Sequence, residues 1–132
     1  MVLPRALDAD LIREQHLPLS EYLTLMHLSE APDRLLRMSD LAADCNLSLS
    51  GMTRIVTRLE TDGYVERVTC PQDARGSNAV LTDQGLARLE QAYPTHVASV
   101  RRHVTDHWQD TDLTQLAQAL DPIARDIESS GR

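Results

Sequence analysis

At 132 residues the chain has the length of one ordinary domain, and at that size it can bury about two thirds of its unfolded surface without metal or disulfide staples. Its 42% apolar and 25% charged residues exclude a largely disordered chain, and no run approaches the ~20 apolar residues that span a bilayer. The formal charge of −7 argues against a polyanionic partner unless it is unevenly spread. A single domain over residues 1–132 is expected, in a cytoplasmic protein with no membrane association, because acids at Asp8 and Asp10 interrupt the start where a signal peptide would be apolar.

Ala6 to His16 carries helical periodicity at Leu7, Leu11 and Ile12, and Pro18 marks its end. Ser20 is placed to cap a second helix whose Tyr22, Leu23, Leu25, Met26 and Leu28 are too densely apolar for a surface element. Ala31-Pro32-Asp33 reads as a turn and Leu35 to Met38 as a short strand. Ser39, ahead of Asp40-Leu41-Ala42-Ala43, has the pattern of an N-cap with an acid in the first turn, and Asn46-Leu47-Ser48 interrupts that third helix early. In Ser50 to Thr61 the apolar Met52, Ile55, Val56 and Leu59 fall at i, i+3, i+4 and i+7, and Asp62-Gly63 ends this fourth helix.

The period then changes to two. Tyr64 to Cys70, rich in β-branched residues and bounded by Gly63 and Pro71, predicts a strand; Pro71 to Asn78 is a polar turn and Ala79 to Leu81 a return strand. Thr82 caps the next helix, whose stripe of Leu86, Leu89, Tyr93, Val97, Val100, Val104 and Trp108 runs more than six turns, with a kink expected at Pro94. From about Asp112 a last helix carries Leu113, Leu116, Leu120, Ile123 and Ile127, and Pro122 is expected to break or bend it. The fold class is therefore mostly α with a small β wing (α+β).

A short helix, a three-residue turn and a second helix with one apolar face is the layout of a helix-turn-helix. The opposite face of the second helix offers Ser50, Thr53, Arg54, Thr57 and Arg58, small or forked side chains that suit a DNA major groove. An ordinary solvated helix would carry the same residues, and the β-hairpin directly after it shifts the balance toward DNA. Ser48, in the turn, joins this set, and Ser39 sits where a helix N-terminus could also meet a phosphate. The charge distribution agrees: Arg34 to Arg88 holds seven arginines and seven acids, while the flanks hold six arginines and thirteen acids and so supply the whole net charge. With no lysine in the chain, every cationic contact must come from a guanidinium fork.

The segment LAADCNLSLSGMTRIVTRLETDGYVE from Leu41 to Glu66, continued by Asp73-Ala-Arg75-Gly and by Leu81-Thr82-Asp-Gln-Gly85, resembles the MarR family of winged helix-turn-helix regulators. The Asp-x-Arg wing followed by Leu-Thr-x-x-Gly carries the resemblance most specifically. It implies a winged DNA-binding part over 20–85 and a helical dimerisation part over 1–18 and 86–132. It further implies that Arg75 enters the minor groove while Asp73 holds it, a role that fits the concentrated negative potential of a narrow groove. The partners implied are double-stranded DNA, as a pseudo-palindromic operator with half-sites about 10 bp apart, and a second copy of the chain in a homodimer. The apolar stripes of the terminal helices, more than a small winged domain can cover, point to the same homodimer.

Family members typically repress a nearby gene and release DNA when a small aromatic or phenolic effector binds. Tyr22, Met26 and His27 of the second helix are the candidate ligand-binding residues, with plain core packing as the alternative. Cys45 and Cys70 form no disulfide framework; they are either small packed residues or oxidation-sensitive points beside the DNA-reading elements. His96, His103 and His107 share one helical face with an i, i+4 pair, the spacing of a metal-responsive variant or of a plain exposed face. No cofactor is implied. No phosphate loop, nucleophile elbow or deaminase zinc motif supports an enzyme. A winged helix can also dock proteins through the same arginines, and salt-sensitive binding to DNA separates the two readings.

Overall fold

The structure is a computed structural model and describes residues 2–69, 76–108 and 112–130. It contains two compact units, one ending at Ser99 and one beginning at Val100. The elements in chain order are α1 (Val2–Gln15), α2 (Leu19–Glu30), a 3-10 turn (Pro32–Arg34), β1 (Leu35–Arg37), α3 (Met38–Asp44), α4 (Leu49–Thr61), β2 (Val65–Thr69), β3 (Ser77–Leu81), α5 (Asp83–His103), a second 3-10 turn (Thr105–Trp108) and α6 (Leu113–Ser130). The strands form an antiparallel sheet in the order β1-β3-β2, with Leu36 opposite Ala79 and Arg67 opposite the same residue from the other side.

Four helix starts differ from those the sequence predicts; the first is α1, which begins at Val2 rather than Ala6. Ser20 does not cap α2: Pro18 holds the cap position, and the amide of Leu19 donates instead to Asp8 Oδ1 of α1 at 2.8 Å. Ser39 does not cap α3 either, because the helix begins at Met38 after Arg37 and has no side-chain cap. The fourth helix begins at Leu49 rather than Ser50, capped by Ser48, whose Oγ accepts from the Gly51 amide at 3.1 Å. Local sequence offers a serine near each of the other three starts, but a tertiary carboxylate or the strand before it fixes where the first turn closes.

The ends follow one device. After α3, Asn46 takes a left-handed φ of 56° and the Leu47 amide reaches back to the Ala42 carbonyl at 2.9 Å. After α4, Gly63 does the same at φ 83°, and the Tyr64 amide reaches the Leu59 carbonyl at 2.9 Å. Both are Schellman closures, for which asparagine and glycine are the residues that tolerate the backbone. They aim α4 away from α3 and the strand away from α4.

The core of the first unit gathers Leu11 and Leu17, Tyr22, Leu25 and Leu28 of α2, Leu41 of α3, and Met52, Val56 and Leu59 of α4. The α4 stripe is thus buried as its spacing predicts, with Ile55 at its half-exposed edge. Thr82 caps α5 as predicted, accepting from the Gly85 amide at 3.0 Å.

For α5 the buried face is offset from the predicted stripe. Gly85, Leu89, Ala92 and Ser99 are the residues it buries, whereas Tyr93 is 58% exposed. Small residues at 85, 92 and 99 let the helix lie close to the core, and Ser99 Oγ donates to the buried Asp10 Oδ2 of α1 at 2.6 Å. Of the large apolar residues in the predicted stripe, Leu89 is buried and Leu86 packs against the core, while Tyr93 is turned to solvent. The helix also stops at His103, so Trp108 and His107 belong to the following 3-10 turn and the single histidine face expected from the sequence does not form. Pro94 and Pro122 both lie inside helices that continue past them; Pro122 does not break α6.

His96 packs against Tyr22 with the rings tilted and their centroids 4.4 Å apart, and its Nδ1 is buried without a hydrogen-bond partner among the described residues. Burial pushes its pKa below the usual 6.5. The folded state therefore favours the neutral ring, so this stability is fully present above the unfolded pKa and is lost as pH falls through the folded one. A thermal melt at pH 7.5 and at pH 5.5 should show a smaller acid-side loss for His96→Phe, which keeps the ring contact, than for the wild type. An equal loss would refute the assignment.

In the second unit Asp112 Oδ1 accepts from the amides of Thr114 and Gln115 at 3.0 and 3.2 Å and so caps α6. None of the residues of α6 is buried, and Leu113, Leu120, Ile123 and Ile127 along its apolar side are between 47% and 68% exposed.

Candidate nucleic-acid interface

With its apolar stripe fixed in the core, α4 presents a fully determined outer surface. Ser50, Arg54, Thr57 and Arg58 are exposed and Thr53 is half-buried; Ser39 at the start of α3 and Ser48 at the cap of α4 are exposed beside them. The fold thus brings Ser39, Ser48, Ser50, Thr53, Arg54 and Thr57 to neighbouring parts of α3, the turn and α4. Arg54 has no hydrogen bond or ion pair among the described residues and is free to reach outward. Arg58 leans back toward α2, its Nη1 3.5 Å from Glu21 Oε1. Asp73 and Arg75 of the predicted wing lie outside the described residues, as does Cys70.

One residue of this surface escapes sequence reasoning. Arg67 of β2 donates through Nη2 to the Thr53 carbonyl at 3.0 Å and to Thr57 Oγ1 at 2.6 Å, while its amide donates to Glu60 Oε2 at 3.3 Å. It ties the hairpin to the outer side of α4. Alternation along β2 puts Arg67 on the same face as the buried Val65, two residues before it, and so toward α4; the turn of Gly63 that sets it against the outer side of that helix has no sequence period. Arg67 also lines, with Arg37, Ser39, Leu49, Thr53 and Ser77, a cleft of about 260 Å³ between α3, α4 and the base of the hairpin.

The base of the hairpin is pinned by Thr82. Its hydroxyl donates to the Gly63 carbonyl at 2.7 Å and its amide to the Tyr64 carbonyl at 3.1 Å. Gly85 completes the joint: a Cβ there would lie 2.1 Å from the Tyr64 carbonyl oxygen and 2.6 Å from Leu81 Cδ1. The Leu-Thr-x-x-Gly stretch is thus a structural clasp between the end of α4, β3 and the start of α5.

A second cavity, about 310 Å³, lies under the α1–α2 junction and is lined by His16, Glu21, Arg58, Leu59, Asp62 and Arg88 among others. Glu21 is 4% exposed, and its Oε1 makes no hydrogen bond although Arg58 is within ion-pair distance. Burial pushes its pKa up, an effect the Arg58 guanidinium partly offsets. Of the candidate ligand residues, Tyr22 is buried against His96 and Met26 and His27 are half-exposed on α2. Cys45 is half-buried 3.9 Å from Thr24 Oγ1, and burial raises its thiol pKa, which disfavours the reactive thiolate. Among the described residues, no group of three His, Cys, Asp or Glu is arranged to hold a metal ion, and no helix is long and apolar enough to cross a membrane.

A helix-turn-helix whose second helix is exposed on one side and followed by a clasped β-hairpin defines a winged-helix protein. The MarR family pattern matches residues 17–76. The structure of AbsC, a MarR family transcriptional regulator from Streptomyces coelicolor, is 41% identical and superposes with a TM-score of 0.82, covering 97% of this chain and 86% of that one. Sco3205, a MarR family transcriptional regulator from the same organism solved in complex with DNA, is 36% identical with a TM-score of 0.82 over 93% of this chain and 77% of that one. The HTH-type transcriptional repressor YetL of Bacillus subtilis is 30% identical over 103 residues, which are 76% of this chain and 62% of YetL. The chain therefore spans less than two thirds of that relative's length. The protein belongs to the MarR family.

Proposed function

We propose that the protein is a sequence-specific DNA-binding transcriptional regulator, a repressor that grips a pseudo-palindromic operator as a homodimer. The observation that carries the reading is the outer surface of α4, where Arg54, with no partner among the described residues, stands among small hydroxyl side chains on a helix packed against the core from behind. That Sco3205 has been solved with DNA supports it. In this reading residues 20–85 contact DNA: α4 enters the major groove with Ser50, Thr53, Arg54, Thr57 and Arg58, Ser39 and Ser48 meet the backbone, and Arg75, held by Asp73, enters the minor groove. The protein acts in the cytoplasm and catalyses no reaction.

Residues 1–18 and 86–132 supply the dimer contact. The exposed apolar residues Val2, Leu3 and Ile12 of α1 and Leu113, Leu120, Ile123 and Ile127 of α6 support this assignment, since such stripes in contact with water are costly. A small aromatic or phenolic effector releases the DNA, with Tyr22, Met26 and His27 of α2 as its neighbours.

Two measurements test the proposal. Duplex DNA from immediately upstream of the gene should be bound at nanomolar protein in a gel shift, with affinity falling steeply as salt rises. In sedimentation the wild type should run as a dimer and an Ile123→Glu, Ile127→Glu double variant at half that mass. Failure to bind any upstream duplex, or a wild-type monomer, would refute the reading.

A further inference from the structure

The threonines of α4 are not free hydrogen-bond donors. Thr53 Oγ1 donates to the Leu49 carbonyl at 2.8 Å, Thr57 Oγ1 to the Thr53 carbonyl at 2.8 Å and Thr61 Oγ1 to the Thr57 carbonyl at 3.0 Å. Each hydroxyl has a single proton, and in each case it is spent one turn back along the same helix. Thr57 is committed twice, because its oxygen also accepts from Arg67 Nη2 at 2.6 Å. The Ser48 and Ser50 hydroxyls are 3.2 Å apart and share a hydrogen bond. What Thr53 and Thr57 can show an approaching partner is a methyl group and at most a lone pair, while Arg54 supplies strong donors between them.

We infer that Thr53 and Thr57 read DNA through their methyl groups and select base pairs that present the thymine C5-methyl to the major groove. The inference rests on the DNA-binding reading above. Guanine offers only acceptors at N7 and O6 in that groove, which Arg54 can meet but the two threonine hydroxyls, their protons already used, cannot; the C5-methyl is the one apolar group a base presents there. Arg67 fixes the outcome at Thr57, since turning that hydroxyl toward DNA would break its bonds to the Thr53 carbonyl and to the guanidinium together.

The test begins with selection of the tightest duplex from a random pool by the wild-type protein. Thymines of that duplex are then replaced one at a time by deoxyuridine, which removes only the methyl. Wild-type affinity should fall about four-fold for each contacted methyl lost, from the hydrophobic contribution of one carbon. Thr53→Ser and Thr57→Ser should each become indifferent to deoxyuridine at one position per half-site, whereas Thr53→Val, which keeps the methyl and replaces the hydroxyl with a second one, should remain as sensitive as the wild type. The inference is overturned if no thymine can be replaced at a cost, if the serine variants keep the wild-type sensitivity, or if Thr53→Val loses it. Enrichment of no duplex at all would overturn the DNA-binding reading itself and this inference with it.

Discussion

Arg54→Ala should weaken specific operator binding by between roughly 30-fold and 10⁴-fold, because one bidentate arginine contact is worth about 1–3 kcal/mol and a dimer makes it twice. The thermal midpoint should not move by more than a degree or two. Arg54 is exposed, with no partner among the described residues to strand and no packing to lose. This separates it from Arg58, whose contact with the buried Glu21 gives that side chain a share in stability as well. Fluorescence anisotropy at one fixed salt concentration, with the selected duplex and a scrambled one, checks the expectation. The scrambled duplex should lose much less affinity, since phosphate contacts elsewhere are untouched. Equal loss on both would make Arg54 a phosphate contact, and no loss on either would remove α4 as the reading element.

Gly85→Ala should lower stability by about 3 kcal/mol, at the upper end of the usual cost of overpacking. Its Cβ would meet a backbone carbonyl oxygen at 2.1 Å, an atom that cannot rotate away as a side-chain end could. For a chain of this size the loss corresponds to roughly 10 °C in thermal midpoint. Calorimetry reads it directly. DNA binding should fall with it even at temperatures where the variant is folded, because relief of the clash must displace either the Tyr64 carbonyl or the start of α5. A variant that melts within 2 °C of the wild type would show the joint to be looser than these distances imply.

Much of this architecture can be read from residue order. The i, i+3, i+4, i+7 stripe of α4 does become its buried face, because that pattern records burial directly, and the β-branched run after Gly63 does become β2, although Val65 is the one buried residue in it. The features that escape depend on what lies across space. Ser20 and Ser39 look like caps, yet α2 starts where Asp8 can reach it and α3 has no side-chain cap; α4 starts at Leu49, one residue before the predicted Ser50, at a cap supplied by Ser48. In α5 hydrophobicity marks Tyr93 as part of the inner face, whereas the helix buries Leu89 of the predicted stripe together with the small residues Gly85, Ala92 and Ser99, which periodicity counts as weak signals. Arg67 looks like an ordinary strand arginine until the sheet and α4 are both in place. The family resemblance supplies Arg75 and Asp73 their expected roles, which no period or composition could.

The clasp at Thr82 has a mechanical consequence. One hydroxyl is bonded at the same time to the backbone where α4 has just ended and to the first turn of α5, so the two helices have no slack between them. Tilting the front of α5 must drag the tail of α4 along, and an ångström of leverage at that hinge is amplified over the thirteen residues of the helix beyond it. Under the proposed function, anything that levers α5 would reach the reading helix through this clasp, from well outside the surface that helix offers.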